Sequence, residues 1–316
     1  MDIWNIGNIK RNKVNKYYTK CFCLISVLCI ASHKPLCCQI PDFSKVPSLH
    51  KGDSLNITNL INNGVKITNG KVIAWFPKDS LSLTQMNEIT DFIYRGIAGA
   101  EKFIGAPLPW QIHKPNEPYT FYFRSDRFIS HASQAGFVSI PFWRIKNGKS
   151  PWLHETLHEM LYTNTGSWFS TDLTDKEFNE NMPLWLFEGL PDYISLHVSL
   201  KENLIFFDVF SDNFQTNIDS LFTSEIKAEN GPYILSFIGS KGVIPELSSE
   251  NRNHYAPAFY HGSCSFVKYL ADNYGIKILL NSISEFRKEH ETIEKLTGRS
   301  IAVLKKEWLV QLKIQE

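Results

Sequence analysis

SPWLHETLHEMLY, residues 150–162, is the stretch from which the rest of the chain is interpreted. It carries an HExxH pattern at residues 154–158. Residues four apart share one face of a helix, so His154 and His158 can reach the same metal ion. Glu155 then stands beside the remaining coordination position, where it can act on a water molecule. This pattern predicts hydrolytic chemistry.

The same stretch predicts its own helix. Ser150 suits the N-cap, and Pro151 suits the first helical position. Apolar residues recur on one helical face, and these are Trp152, Leu153, Leu157, Met160 and Leu161. The two histidines are therefore expected on a helix that packs against a core.

A third metal ligand is predicted downstream, in residues 182–193, MPLWLFEGLPDY. This segment is apolar apart from Glu188 and an aspartate near its end. Burying a carboxylate is costly unless a positive partner neutralises it. Because HExxH alone also arises by chance, the second segment is the stronger evidence. Together they predict that His154, His158 and Glu188 bind one Zn²⁺ per chain.

These two segments resemble the zinc-binding motifs of gluzincins, in which a pattern close to P-x-W-L-x-E-G-x-A-x-Y follows HExxH by a few dozen residues. The residues that match the second pattern are Pro183, Trp185, Leu186, Glu188, Gly189 and Tyr193. Pro191 departs from it, because it stands where Ala is usual. From about Val72 onward the chain is similar to a peptidase MA-like domain of this family.

The resemblance implies an α+β, zincin-like fold with a zinc cleft between two lobes. A small twisted N-terminal sheet with helices, including the HExxH helix, would occupy residues 71–162. A mainly helical lobe would occupy residues 163–316. The order of predicted elements, mixed strands and a long helix ahead of the two motif helices, agrees with this fold class.

Apolar periodicity predicts strands at residues 71–76, 119–123 and 136–142, and a helix at residues 82–104. An extended peptide can bind by pairing with a free sheet edge. The candidate edge strand consists of Gly136, Phe137, Val138, Ser139 and Ile140. Pro141 fits an edge because it has no ladder donor. A purely structural strand is the alternative.

Asp192 follows Glu188 by four residues and could orient a zinc-bound histidine through its other ring nitrogen. Gly189 and Pro191 indicate a different outcome, because together they can end the helix at the ligand. Asp192 would then be a cap or an exposed residue. Both roles stay open at this point.

Residues 255–270 resemble a late helix of the same family, which often brings a Tyr to the oxyanion side of the zinc. Tyr260 is the residue expected there, and one such donor is worth about 2.7–4 kcal/mol. Tyr255 and His261 are alternatives, since thermolysin-like enzymes use a His in this role. Residues 163–181 are predicted to be a surface loop, and residues 294–312 a closing helix.

Residues 1–38 predict a signal peptide. Basic residues precede an uncharged apolar run at residues 21–32. That run is shorter than the roughly 20 residues needed to span a bilayer, and it fits a signal core of about 7–15. The protein is therefore expected to be exported, to the periplasm or outside the cell, with lipoprotein anchoring as a minor alternative. Residues 39–70 read as a polar lead-in.

Cysteine and charge follow the same division. Five of the six cysteines fall in the leader, so Cys264 is expected to be a buried residue without a disulfide partner. Without residues 1–38 the chain has 27 basic and 31 acidic side chains. This balance argues against nucleic acid as a partner. No transmembrane span is expected in the mature chain.

We therefore predict an exported zinc metallopeptidase whose partner is a peptide or protein substrate. The chain lacks a Gly-x-Met-Glu-Asn motif, which in related aminopeptidases holds the substrate amino terminus, so endopeptidase activity is favoured. One alternative is an inactive zinc-binding module for substrate capture or structure. Another is a zinc hydrolase acting on a non-peptide amide or ester.

Overall fold

The computed structural model has an α+β fold with a five-stranded mixed sheet and a mostly helical remainder. It describes residues 53–105, 117–126, 130–133, 137–147, 150–162, 175–204, 217–227, 231–244, 252–285 and 287–314. The predicted leader and Gly136 lie outside the described residues. Within the described parts, no helix combines the length and apolar character needed to cross a membrane.

The sheet has the strand order β1-β2-β3-β5-β4. Its strands are β1 (Val65–Asn69), β2 (Val72–Phe76), β3 (Tyr119–Arg124), β4 (His131–Ser133) and β5 (Phe137–Pro141). The three central strands β2, β3 and β5 are parallel, and β1 and β4 pair antiparallel at the two sides. The three strands predicted from apolar runs are confirmed as β2, β3 and β5.

The prediction that residues 136–140 form a sheet edge is wrong. Strand β5 pairs with β3 on one side and with β4 on the other. All five residues of β5 are buried, as expected for an internal strand. Pro141 is tolerated because it is the last residue of the strand, opposite Arg124. In the described sheet, the edge next to β5 belongs to β4.

The stretch read as a polar lead-in contains two elements, α1 (Asp53–Asn63) and β1. Helix α1 has four asparagines, which weaken a helix signal. It buries Ile57 and Leu60, while its asparagines stay outside. Gly70 and Lys71 connect β1 to β2, and Gly70 has a φ of 55°. Such a left-handed turn suits a hairpin.

Helix α2 (Leu83–Ile104) confirms the predicted helix and its start. Ser82 and Gln85 form a capping box at its N-terminus, and Gly105 ends it in a left-handed conformation. A Cβ on Gly96 would lie 2.3 Å from the Trp152 ring, so this glycine lets α2 approach the HExxH helix closely.

The rest of the described chain is helical. The helices are α3 (Phe142–Lys146), α4 (Trp152–Tyr162), α5 (Asp175–Asn181), α6 (Leu184–Glu202), α7 (Ile218–Glu225), α8 (Gly231–Phe237), α9 (Arg252–Tyr274), α10 (Lys277–Ser284), α11 (Glu289–Thr297) and α12 (Ile301–Gln311). Helix α4 begins one residue later than predicted, and Pro151 O accepts its first hydrogen bond from Glu155 N at 3.0 Å. The Ser150 hydroxyl makes no hydrogen bond with described residues, so it does not cap the helix.

The helix stop that Gly189 and Pro191 could have formed does not occur. Helix α6 continues through Pro191 to Glu202. A proline inside a helix costs roughly 3 kcal/mol, but most of this helix is buried between α4, α2 and α9. A Cβ on Gly189 would lie 2.6 Å from the Ser263 carbonyl oxygen. Close packing on α9 therefore holds the helix together beyond the expected stop.

Two other predicted elements differ from the structure. Residues 175–181 of the expected surface loop form α5, in which Glu177 pairs with Arg287 at 3.0 Å; residues 163–174 lie outside the described residues. The single closing helix is two helices, because Gly298 ends α11 with a φ of 70°. Leu304 and Trp308 of α12 are buried. Cys264 is buried and free, as predicted.

Candidate metal centre

Three predicted ligand atoms converge between α4 and α6. The Nε2 atoms of His154 and His158 lie 2.9 Å apart. Glu188 Oε2 lies 3.2 Å from His154 Nε2 and 3.4 Å from His158 Nε2. Two ring nitrogens and a carboxylate oxygen thus face one point, and this group could hold a metal ion. The three residues predicted from sequence are the three that the structure brings together.

The core orients both ligand helices. On α4, Leu153, Leu157 and Met160 are fully buried in the main hydrophobic cluster. Burial of this face sets the rotation of α4 about its axis, and the two histidines, which lie one turn apart, therefore point toward α6. On α6, Leu186 and Leu190 are buried on either side of Glu188. Glu188 therefore has little freedom to point anywhere but at the histidines.

The distances fit a tetrahedral zinc ion. With Zn–N and Zn–O bonds of roughly 2.0–2.1 Å, neighbouring ligand atoms in a tetrahedron lie about 3.3 Å apart. The observed separations of 2.9, 3.2 and 3.4 Å are close to this value. Two imidazoles and a carboxylate also form the donor set of one class of catalytic zinc site. The residues present therefore fit this metal, although the donor set alone does not name it.

Asp192 holds His154 from the far side of the ring. Asp192 Oδ1 lies 2.6 Å from His154 Nδ1, and both residues are buried. The open question about Asp192 is thus decided: because α6 continues past Pro191, Asp192 lies one turn after Glu188 and beside His154. An Nδ1–H bonded to a carboxylate leaves Nε2 as a metal ligand and fixes the ring orientation.

The charges of this cluster are strongly coupled. Burial disfavours a charged His154, but the carboxylates of Asp192 and then Glu188 outweigh burial and raise the pKa of His154 well above its usual value. Burial would raise the pKa of Glu188, yet hydrogen bonds from the two histidines lower it. The group thus keeps a positive charge near Glu188. A metal ion would supply that charge in place of a proton, since the two compete for Nε2.

Glu155 lies on α4 between the two histidines and is half-buried. Its Oε2 accepts a hydrogen bond from Ala132 N on strand β4 at 3.1 Å. No motif or spacing predicted this contact, because the two residues belong to elements whose pairing depends on the sheet order. It attaches the sheet edge to the HExxH helix.

The three candidates for oxyanion stabilisation occupy different surroundings on α9. The Tyr260 ring centroid lies 6.4 Å from that of His154. His261 Nδ1 contacts both carboxylate oxygens of Glu225 on α7 at 2.9 Å. The Tyr255 ring lies 5.7 Å from that of Tyr233, on α8. The Tyr260 ring thus contacts that of a candidate ligand.

Comparisons of the chain with known protein families, with curated proteins and with solved structures give no match. The fold and the site together define an α+β protein with a buried His-His-Glu group that could hold a metal ion. Inference about its function therefore depends on the chemistry of these residues.

Proposed function

We propose that this protein is a zinc metallopeptidase of the gluzincin type, with a zincin-like fold and with its active site between the sheet lobe and the helical lobe. His154, His158 and Glu188 are the zinc ligands. The observation that carries the proposal is the convergence of their three donor atoms within 3.4 Å, beside Glu155.

The protein's own groups supply the acid–base chemistry. Bound zinc would polarise a water molecule and lower its pKa to about 7. Glu155 accepts the proton of the attacking water and passes it to the leaving amine. Asp192 keeps His154 in the tautomer that leaves Nε2 free for the metal. Tyr260 donates its hydroxyl hydrogen to the oxyanion of the tetrahedral intermediate.

Strand β4 supports a peptide as the substrate. It lies at an edge of the described sheet, and its Ala132 N–H reaches Glu155. A peptide that adds to this edge would place its main chain beside the general base. The edge selects extended main chain rather than an amino terminus, which favours endopeptidase activity. Because the leader resembles a signal peptide, we propose that the protein acts outside the cytoplasm.

The metal content tests this proposal first. Purified protein should contain about one zinc per chain, and Glu188→Ala should lose it or bind it much more weakly, since two histidines alone hold zinc poorly. Glu202→Ala is the matched control, because it removes a carboxylate from the same helix outside the cluster. Metal analysis after mild chelation and zinc reconstitution gives the measurement.

The outcomes separate the candidate functions. Zinc binding together with cleavage of a peptide library supports the peptidase. Zinc binding without turnover on peptides points to a capture or structural module. A protein that takes up no zinc after reconstitution refutes the proposed site.

A further inference from the structure

We propose that strand β4 restrains Glu155 in the resting protein and that an extended peptide releases it by taking its place on Ala132. The inference rests on the proposed function, because it concerns the general base of that site. Binding of a peptide main chain at strand β4 and release of Glu155 are then a single event.

The pairing of β4 with β5 sets the direction in which the Ala132 main-chain groups point. Strand β4 pairs antiparallel with β5, and Ala132 lies opposite Val138. In such a ladder, pairs that exchange main-chain hydrogen bonds alternate with pairs that do not. The Ala132 N–H donates to Glu155, which lies on α4 rather than on β5. Ala132 is thus in a non-bonded pair, and its main-chain groups point away from β5.

The neighbours of Ala132 in β4 are His131 and Ser133. By the same alternation, the main-chain groups of His131 and Ser133 point toward β5. Within the three residues of β4, Ala132 N–H is therefore the donor that faces outward. It is the donor that a strand added at this edge would use.

Glu155 and a peptide carbonyl compete for the Ala132 N–H. Glu155 Oε2 occupies the Ala132 N–H at 3.1 Å. A peptide carbonyl can bond to Ala132 only when the carboxylate leaves. The N–H exchanges one acceptor for another, so the exchange costs little net hydrogen bonding. Glu155 is then free to turn toward the attacking water.

This exchange restricts the substrate class. A peptide long enough to lie along β4 displaces Glu155, whereas a small amide or ester leaves it bonded to Ala132. The device therefore favours extended polypeptide main chain over small substrates, independently of side-chain identity.

Two inactive variants test the competition by binding alone. Glu155→Gln keeps an oxygen that can accept from Ala132 N–H, whereas Glu155→Ala removes the acceptor. A fluorescent, acetylated and amidated octapeptide of Ala, Leu, Gly and Phe serves as the probe. We expect the zinc-loaded Glu155→Ala protein to bind it about threefold to tenfold more tightly than Glu155→Gln, the value of one hydrogen bond.

The same pair is then made with Ala132→Pro, which removes the N–H, and with Ala132→Gly, which keeps it. The difference in affinity should vanish with Pro and persist with Gly. Amide hydrogen exchange at Ala132, faster in Glu155→Ala than in Glu155→Gln, gives an independent readout if the Pro variants do not fold.

Equal affinities, a difference that survives Ala132→Pro, or no peptide binding by either variant would overturn the proposal. Hydrolysis by the wild-type protein is measured separately. If the affinity difference appears but the wild type hydrolyses no peptide, the competition stands and the peptidase assignment fails.

Discussion

Two histidines contact helix α6, the buried His154 and the half-buried His290, and their surroundings shift their pKa values in opposite directions. His154 lies 2.6 Å from a carboxylate oxygen of Asp192. His290, on α11, meets the same helix two turns earlier, where Trp185 Nε1 donates to His290 Nε2 at 3.1 Å. One ring faces an anion, and the other faces a neutral N–H donor.

The pKa values of the two histidines differ accordingly. Burial and the nearby Lys241 lower the pKa of His290 to about 4. Burial acts in the same direction on His154, but Asp192 and Glu188 reverse it and raise the pKa. Burial lowers both pKa values, so the neighbouring charges account for the difference: two carboxylates at His154 and the ammonium of Lys241 at His290. This difference also explains why α6 has a candidate metal site at His154 and a structural contact at His290.

The proposed active site surrounds His154 and not His290, and Glu155→Gln is expected to give the largest effect there. We expect peptide hydrolysis to fall about 10²–10⁴-fold, because the base is lost while the ligands remain. Zinc content should stay near that of the wild type. The measurement is kcat on a cleaved peptide beside metal analysis, with Glu177→Gln on α5 as the control. Near-normal turnover in Glu155→Gln would remove Glu155 from the mechanism.

Tyr260→Phe tests the proposed oxyanion donor on α9, whose ring contacts that of His154. Loss of one oxyanion donor is expected to lower kcat about 10²–10³-fold with little change in KM. Tyr269→Phe is the matched control, because the Tyr269 hydroxyl donates to Glu307 at 3.1 Å. An unchanged kcat in Tyr260→Phe would shift the role to His261 or Tyr255.

Asp192→Asn removes the anion that distinguishes His154 from His290. We expect zinc affinity to fall about 10–100-fold, since the carboxylate no longer orients the ring and supports its basicity. Competition with a zinc chelator gives the affinity, and Asp272→Asn, an exposed carboxylate on α9, is the control. If zinc binds Asp192→Asn as tightly as the wild type, the Asp192 carboxylate does not contribute to metal binding through His154.

His290→Gln tests the neutral side, where the smallest effect is expected. The unfolded histidine titrates near 6.5 and the folded one at about 4, so the unfolded state binds more protons between these values. The contribution of His290 to stability is complete above pH 6.5 and is lost as pH falls toward 4. Near pH 5 this loss is about 1–2 kcal/mol.

The measurement is urea unfolding at pH 7 and pH 5. The Gln side chain can still accept from Trp185 but does not titrate, so the variant should lose less stability between the two pH values than the wild type does. An identical loss in both proteins would show that His290 is not held neutral by burial.

Local sequence signals predicted the parts of the fold whose causes are local. Apolar periodicity predicted the helix at residues 82–104, and in the structure Ser82, Gln85 and Gly105 cap its two ends. The four-residue spacing of His154 and His158 places them on one face of any helix. Glu188 was found because a single carboxylate in an apolar segment needs a positive partner.

Other features had no local signal or a misleading one. Pro191 indicated a helix stop, but packing on α9 holds α6 together through it. The contact of His261 with Glu225 joins helices α9 and α7, and no spacing in the sequence indicated it. In the Asn-rich α1, the burial of Ile57 and Leu60 outweighs weak helix propensity.

By itself, the sequence determined the identity of the three candidate ligands and the α+β class and pointed to Glu155 as the candidate general base, because these follow from residue types at helical and strand spacing. Tertiary structure alone decided that β4 rather than β5 forms the sheet edge beside Glu155, and that Asp192 reaches His154. Both depend on which elements become neighbours. That choice minimises the free energy of the whole core, so it cannot be read from any one segment.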